Sequence, residues 1–206
     1  KQLIEEDAKS AEIIRPILRG RDIKRYAYEF ADLYLITTFP SLKIDIEEYP
    51  SIKSHLLSFG YDRLKQTGDK GARKQTNNKW FETQDSIAYW EDFFRPKIIW
   101  GEISDKTKFT IELDGKYINE ATTFLMSGES LLYLVGYLNS KLSEYLFSKI
   151  GTTTGVGTIR WKKFTIEQLL VPKINSERQQ VYEKLVLEIV NCTNSSGIIG
   201  TVSLSV

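Results

Sequence analysis

Residues 151–163, GTTTGVGTIRWKK, set three glycines and four threonines directly before Arg160, Trp161, Lys162 and Lys163, with no acidic residue among them. Glycine lets a backbone approach a ligand closely, and threonine hydroxyls and backbone N–H groups donate to phosphate oxygens. Arg160 is suited to contact a phosphate or to grip a guanine edge through two parallel hydrogen bonds. A mobile loop without a role has the same composition, so the rest of the chain must decide. A nucleotide-cradling phosphate loop fits poorly, because the Gly-Lys-Ser/Thr ending is missing and no helix opens there. Trp161 reads first as a core anchor.

Two other stretches are basic. RPILRGRDIKRY, residues 15–26, has five basic residues and one acid, and residues 63–79 carry Arg63, Lys65, Lys70, Arg73, Lys74 and Lys79 against Asp69. The acids gather elsewhere, in IDIEEY and FETQDSIAYWED. Over 206 residues, 28 Lys and Arg meet 27 Asp and Glu, so the chain is no electrostatic sponge. Any single run can be a solvated surface. Three runs at loops and element ends point to basic groups segregated on one face, the footprint of nucleic-acid binding.

Other chemistry finds little support. The single cysteine, Cys192, rules out an internal disulfide framework, and the single histidine, His55, rules out a Cys/His zinc cluster. His55 sits beside Leu56 and Leu57 on a predicted helix and reads as structural or surface. WGEIS offers Glu102 but puts Ser104 where a nuclease of the acid-x-Lys type needs lysine. The Asn-Pro-Pro-Tyr motif that holds an extruded base in amino-methylating enzymes is absent. No catalytic residue and no metal site is expected. No run approaches the roughly 18 apolar residues of a membrane span, and no signal-peptide pattern is present, so a cytoplasmic protein without membrane contact is expected. The first residue is Lys1, and a piece of a longer protein is expected.

These groups need elements to hold them. Residues 1–18 read as a short helix or turn stopped by Arg15-Pro16. Residues 28–39 read as strand, 48–66 as helix and 67–79 as a polar loop. Residues 95–103 read as strand, and 108–126 as two strands joined in a hairpin at Asp114-Gly115. A helical stripe runs through 130–150, and LLVP (169–172) reads as a short strand. Residues 175–191 read as a helix with a capping box at Ser176 and Gln179 and an apolar seam of Val181, Leu185 and Ile189.

The order of these motifs resembles one family. RPILRGRDIKRY is followed by YLI, a YPSIKSHL helix, a basic loop ending in KWFE, and RPKIIWGEIS. A D-G-K-Y turn, LVGYLNSKLSEYLF and a Gly/Thr loop entering TIRWKKFTIEQLLVPKI complete the series. Residues 13–190 resemble the TaqI-like C-terminal specificity domain, the target recognition domain of type II and type IIG restriction-modification enzymes that methylate adenine. They are similar, more distantly, to a recognition domain of type I restriction specificity subunits.

The resemblance implies an α+β domain over 1–174, a mixed, twisted, β-rich body with packed helices. A C-terminal supporting helix would span 175–194, with 195–206 unassigned. It also implies double-stranded DNA as partner, and an upstream methyltransferase domain of the same chain holding S-adenosylmethionine, with no cofactor in this fragment. Residue chemistry then sorts the basic groups. Arg19, Arg21, Lys24, Arg25, Thr152, Thr153, Thr154, Lys162 and Lys163 are expected at phosphates. Arg73, Lys74, Asn77, Asn78 and Arg160 are expected at base edges, because Arg and Asn pair bidentately with guanine and adenine. Two other readings remain open: part of an active site completed by a missing domain, and a protein-interaction module using LLYLVGYL and VYEKLVLEIV.

Overall fold

Ile98, Ile99 and Trp100 are buried on both faces of the strand Lys97–Gly101, at the centre of a three-stranded antiparallel sheet. The structure, a computed structural model, describes residues 1–153 and 158–195. Thr154 and the tail from residue 196 lie outside it. The chain divides into two compact units, one of Lys1–Pro16 and Tyr34–Trp90, the other of Ile17–Leu33 and residues from Glu91 onward. Both mix short helices and strands, giving the α+β class.

In the second unit, Phe109–Glu112 and Thr123–Ser127 flank Lys97–Gly101. The period-2 alternation of a strand sends its residues to two cores. Ile98 and Trp100 join Phe109, Ile111, Val135, Phe147 and Trp161 on one face, while Ile99 joins Leu18, Ile23 and Tyr117 on the other. The cross-strand partners Lys97 and Glu112 form an ion pair with both side chains at 0% exposure. Lys97 Nζ also donates to the Phe93 carbonyl, and Glu112 accepts from the backbone N–H groups of Asp114 and Lys116.

That pairing overturns the expected hairpin. Phe109–Glu112 pairs with Lys97–Gly101 and not with the chain beyond Asp114-Gly115, and the short strand Ile118–Asn119 pairs in parallel with Ile17 and Leu18 instead. Gly115 still supplies the turn: its φ is +63°, and a Cβ there would lie 2.4 Å from the Phe94 carbonyl oxygen.

The helical stripe at 130–150 is two helices, Leu131–Leu138 and Lys141–Ile150. Between them the Asn139 amide clasps the Phe109 backbone, accepting from its N–H (3.1 Å) and donating to its carbonyl (2.8 Å). Ser140 Oγ then caps the second helix by accepting from Ser143 N–H. The last helix, Ser176–Ser195, is capped one residue before its expected capping box: Asn175 Oδ1 accepts from Arg178 N–H, while Gln179 reaches Ser130 and Glu183. Its buried seam is Val186 and Val190, and the expected seam is solvent-facing, with Val181 60%, Leu185 50% and Ile189 41% exposed. The cause is Gly136 on Leu131–Leu138, where an added Cβ would sit 2.7 Å from Val186 Cγ2. Residues 169–172 form no strand.

In the first unit, Ile14, Arg15 and Pro16 pair antiparallel with Tyr34–Ile36, so the expected helix or turn gives way to strand there. Tyr34–Ile36 is the one strand within the 28–39 stretch. Pro50 starts the helix Pro50–Leu57, which buries Ile52 against Ile13, Ile46, Tyr49 and Phe81. Gly60, with φ +91°, separates it from the single turn Tyr61–Leu64, dividing the helix expected over 48–66.

Candidate nucleic-acid interface

Trp161 fixes the basic segment. Its ring is 1% exposed, stacks on Phe147 at 4.1 Å and meets the Phe109 ring edge-on at 5.7 Å. Its indole N–H donates to the Ser104 carbonyl, and its own carbonyl accepts from the Trp100 indole N–H. The expected core anchor is therefore present. Arg160 and Lys162, on either side of it, inherit a fixed backbone.

Arg160 belongs to a small antiparallel sheet in which Ile159–Arg160 lies between Ile103–Ser104 and Thr152–Thr153. Thr152 is the partner of Arg160 and Thr153 of Ile159, and both threonines are exposed. Arg160 Nη1 stands 3.2 Å from Glu102 Oε1, with the side chains 41% and 31% exposed. Lys162 precedes the one-turn helix Lys163–Ile166, its Nζ 6.0 Å from the Phe164 ring centroid, and Lys163 stays 69% exposed beside Glu167 at 3.7 Å.

A groove of about 360 Å³ runs beside this sheet, and its walls include Arg21, Lys24, Glu102, Ser104, Lys108 and Thr122. Gly20 and Gly101 meet backbone to backbone along it. Arg21 is exposed, and Lys24 leans on the Arg21 carbonyl and on Glu29, 3.3 Å from each. Arg25 donates to the Asn139 carbonyl at 2.8 Å and lies over the Tyr26 ring.

Some expected contact residues are occupied within the protein. Arg19 grips Asp22 through Nε at 3.0 Å and Nη2 at 2.8 Å, and Asp22 also accepts from the Arg19 N–H. The Arg19 side chain holds the Asp22 carboxyl below the usual aspartate range, although burial opposes this. In the first unit, Arg73 donates to the Glu82 carbonyl at 2.5 Å and the Trp80 carbonyl at 3.3 Å, and burial lowers its pKa. Asn78 donates to the carbonyls of Thr83 and Gln84. Gln66 braces the same loop against Thr76, Lys79 and Glu82. Lys74 and Asn77 are exposed on it.

Glu102, Ser104, Lys108 and Thr122 were not expected at a binding groove. The segment EISDKTK hides the first three, because Glu102 and Asp105 balance Lys106 and Lys108 and leave no net charge to notice. Among the described residues no group of three or more His, Cys, Asp or Glu could hold a metal ion, and no helix is long and apolar enough to cross a membrane.

Known proteins show the same organisation. Residues 15–171 match the sequence model of the TaqI-like C-terminal specificity domain. A solved chain described as the type IIL restriction-modification enzyme MmeI in complex with DNA is similar in fold, at 14% identity and a TM-score of 0.59. That similarity covers 94% of this chain and 25% of the other, so the present chain spans about a quarter of its length. No curated protein matches the sequence. The family match extends over most of the chain, through the 15–26 segment, the central sheet and the Trp161 anchor. The chain belongs to the TaqI-like C-terminal specificity domain family.

Proposed function

We propose that this chain is the double-stranded DNA recognition module of a restriction-modification enzyme, holding a target site for adenine N6 methylation by domains outside it. The observation that carries the proposal is the cationic groove of the second unit, where Arg21, Lys24 and Lys108 line one channel beside Arg160 and its buried anchor Trp161. Such groups position a duplex through its phosphates, and a few side chains among them read sequence. Arg21, Lys24, Thr152, Thr153, Lys162 and Lys163 serve the phosphates in this reading. Arg160 with Lys74 and Asn77 remain for bases, while Arg19, Arg73 and Asn78 shape the loops that present them. Arg25 keeps part of its guanidinium on Asn139 and contributes charge.

The chain positions DNA and does not act on it. S-adenosylmethionine and the transferring groups belong to an upstream methyltransferase domain, with or without a fused nuclease as in type IIG enzymes. The exposed side of Ser176–Ser195 supports a second role. Tyr182, Leu185 and Ile189 line an apolar groove of about 370 Å³ with Tyr133 and Ile174, a surface suited to docking the rest of the enzyme. The test is to join the chain to its natural upstream sequence. Site-specific methylation by the joined protein, and none by the chain alone, supports the reading. Methyl transfer by the chain alone, abolished by a point change within it, contradicts it.

A further inference from the structure

The Glu102–Arg160 pair differs from the Arg19–Asp22 contact of the same unit. Arg19 and Asp22 are three residues apart, bidentate, and 21% and 5% exposed, whereas Glu102 and Arg160 are 58 residues apart and open to solvent, Glu102 in the wall of the groove. Their backbones are fixed: Arg160 is the register partner of Ile103, and Trp161 N–H donates to the Glu102 carbonyl at 2.7 Å. The side chains are not. An exposed ion pair contributes no more than about 1 kcal/mol, so both groups can turn to another partner at small cost.

Resting on the DNA-recognition reading, we infer that Glu102 and Arg160 together read one G·C base pair in the major groove, Arg160 taking guanine and Glu102 taking cytosine. Guanine presents O6 and N7 as acceptors, and cytosine presents its N4 amino group as a donor. Cytosine N4–H donates a hydrogen bond to guanine O6 across the pair, which sets the two atoms about 2.9 Å apart. The protein offers the mirror arrangement, a donor on the strand Ile159–Arg160 and an acceptor 3.2 Å away at the bend just before its neighbour Ile103–Ser104. Arg160 donates to O6 and N7, Glu102 accepts from N4, and the two remain beside one another, so neither charge is left unpaired on desolvation. An A·T pair satisfies the arrangement less well. Thymine O4 gives the guanidinium one acceptor where guanine gives two, and the thymine methyl crowds the same edge.

The experiment is enrichment of sites from a randomised duplex pool by the 206-residue chain and by Arg160→Gln, Arg160→Lys and Glu102→Ala, with thermal unfolding of each. The unaltered chain enriches G·C at one fixed position. Arg160→Gln moves that position toward A·T, because Gln pairs bidentately with adenine. Arg160→Lys retains binding but loses about 5-fold to about 150-fold of the preference, the range set by one bidentate contact. Glu102→Ala relaxes the same position and no other. If all four proteins bind duplex and select the same bases everywhere, the pair is structural only and the inference is overturned. If the unaltered chain shows no salt-dependent duplex binding at all, the DNA reading fails and this inference fails with it.

Discussion

The Trp161 and Phe147 rings lie face to face, centroids 4.1 Å apart and planes 16° apart, both buried beneath the strand that presents Arg160. A charged residue that must meet a duplex in one register needs a backbone that does not move. Here that rigidity comes from an aromatic anchor in the next position.

Trp161→Ala removes the stack and both anchoring contacts of the side chain, and replacing a core aromatic by Ala costs about 3–5 kcal/mol. Urea unfolding should show that loss. Trp161→Phe keeps a ring against Phe147 but leaves the Ser104 carbonyl without its indole donor. A smaller cost of about 1–3 kcal/mol is expected, and no loss with either change contradicts the anchoring role.

Lys162→Ala and Lys163→Ala should weaken binding to all duplexes about equally. Each should lower the salt slope by about one if it neutralises one phosphate. Stability should hardly change, because the Lys163–Glu167 contact is long and exposed. Anisotropy titrations and melting curves separate the two effects. A change in sequence preference without a change in slope would move these lysines from phosphates to bases.

Lys97 and Glu112 make a different prediction. Removing one partner of a fully buried pair leaves an uncompensated charge and costs about 3–5 kcal/mol. Lys97→Met and Glu112→Leu should each destabilise strongly, and the double change should recover much of the loss. A double-mutant cycle in urea measures it. Additive single effects would show that the two side chains act independently.

Asp22 predicts a pH dependence. Its carboxyl is held below the ordinary aspartate value, chiefly by the Arg19 guanidinium. A depressed pKa stabilises the folded state fully above the unfolded value, about 4, and that contribution is lost as pH falls through the folded value. Asp22→Asn should therefore flatten the acid limb of a stability-versus-pH curve. An unchanged limb contradicts the coupling.

Much of this organisation was legible in the residues, because the informative signals were local. Trp161 beside three cations, the helical stripe of 130–150 and the final helix were all visible in the sequence. What was not visible depended on partners distant in sequence. The Asp114-Gly115 turn exists, but Lys97–Gly101 competes for Phe109–Glu112 and wins, so no local hairpin forms. The last helix carries two apolar stripes, and the choice of Val186 and Val190 as the buried one rests on Gly136, fifty residues earlier in Val186's case. Arg73 looked like a base reader, but carbonyls nine and seven residues away occupy its guanidinium. The Glu102–Arg160 contact was invisible in the sequence because only the fold brings the two residues together.

The central claim is that this chain grips duplex DNA through its cationic groove, and a salt titration tests it most directly. Binding of the 206-residue chain to a labelled duplex should weaken linearly in log–log terms with rising salt, with a slope of about −0.9 for each phosphate neutralised. Arg21→Ala and Lys108→Ala, which line that groove, should make the slope shallower. A flat salt response, or no duplex binding even at low salt, would contradict the account.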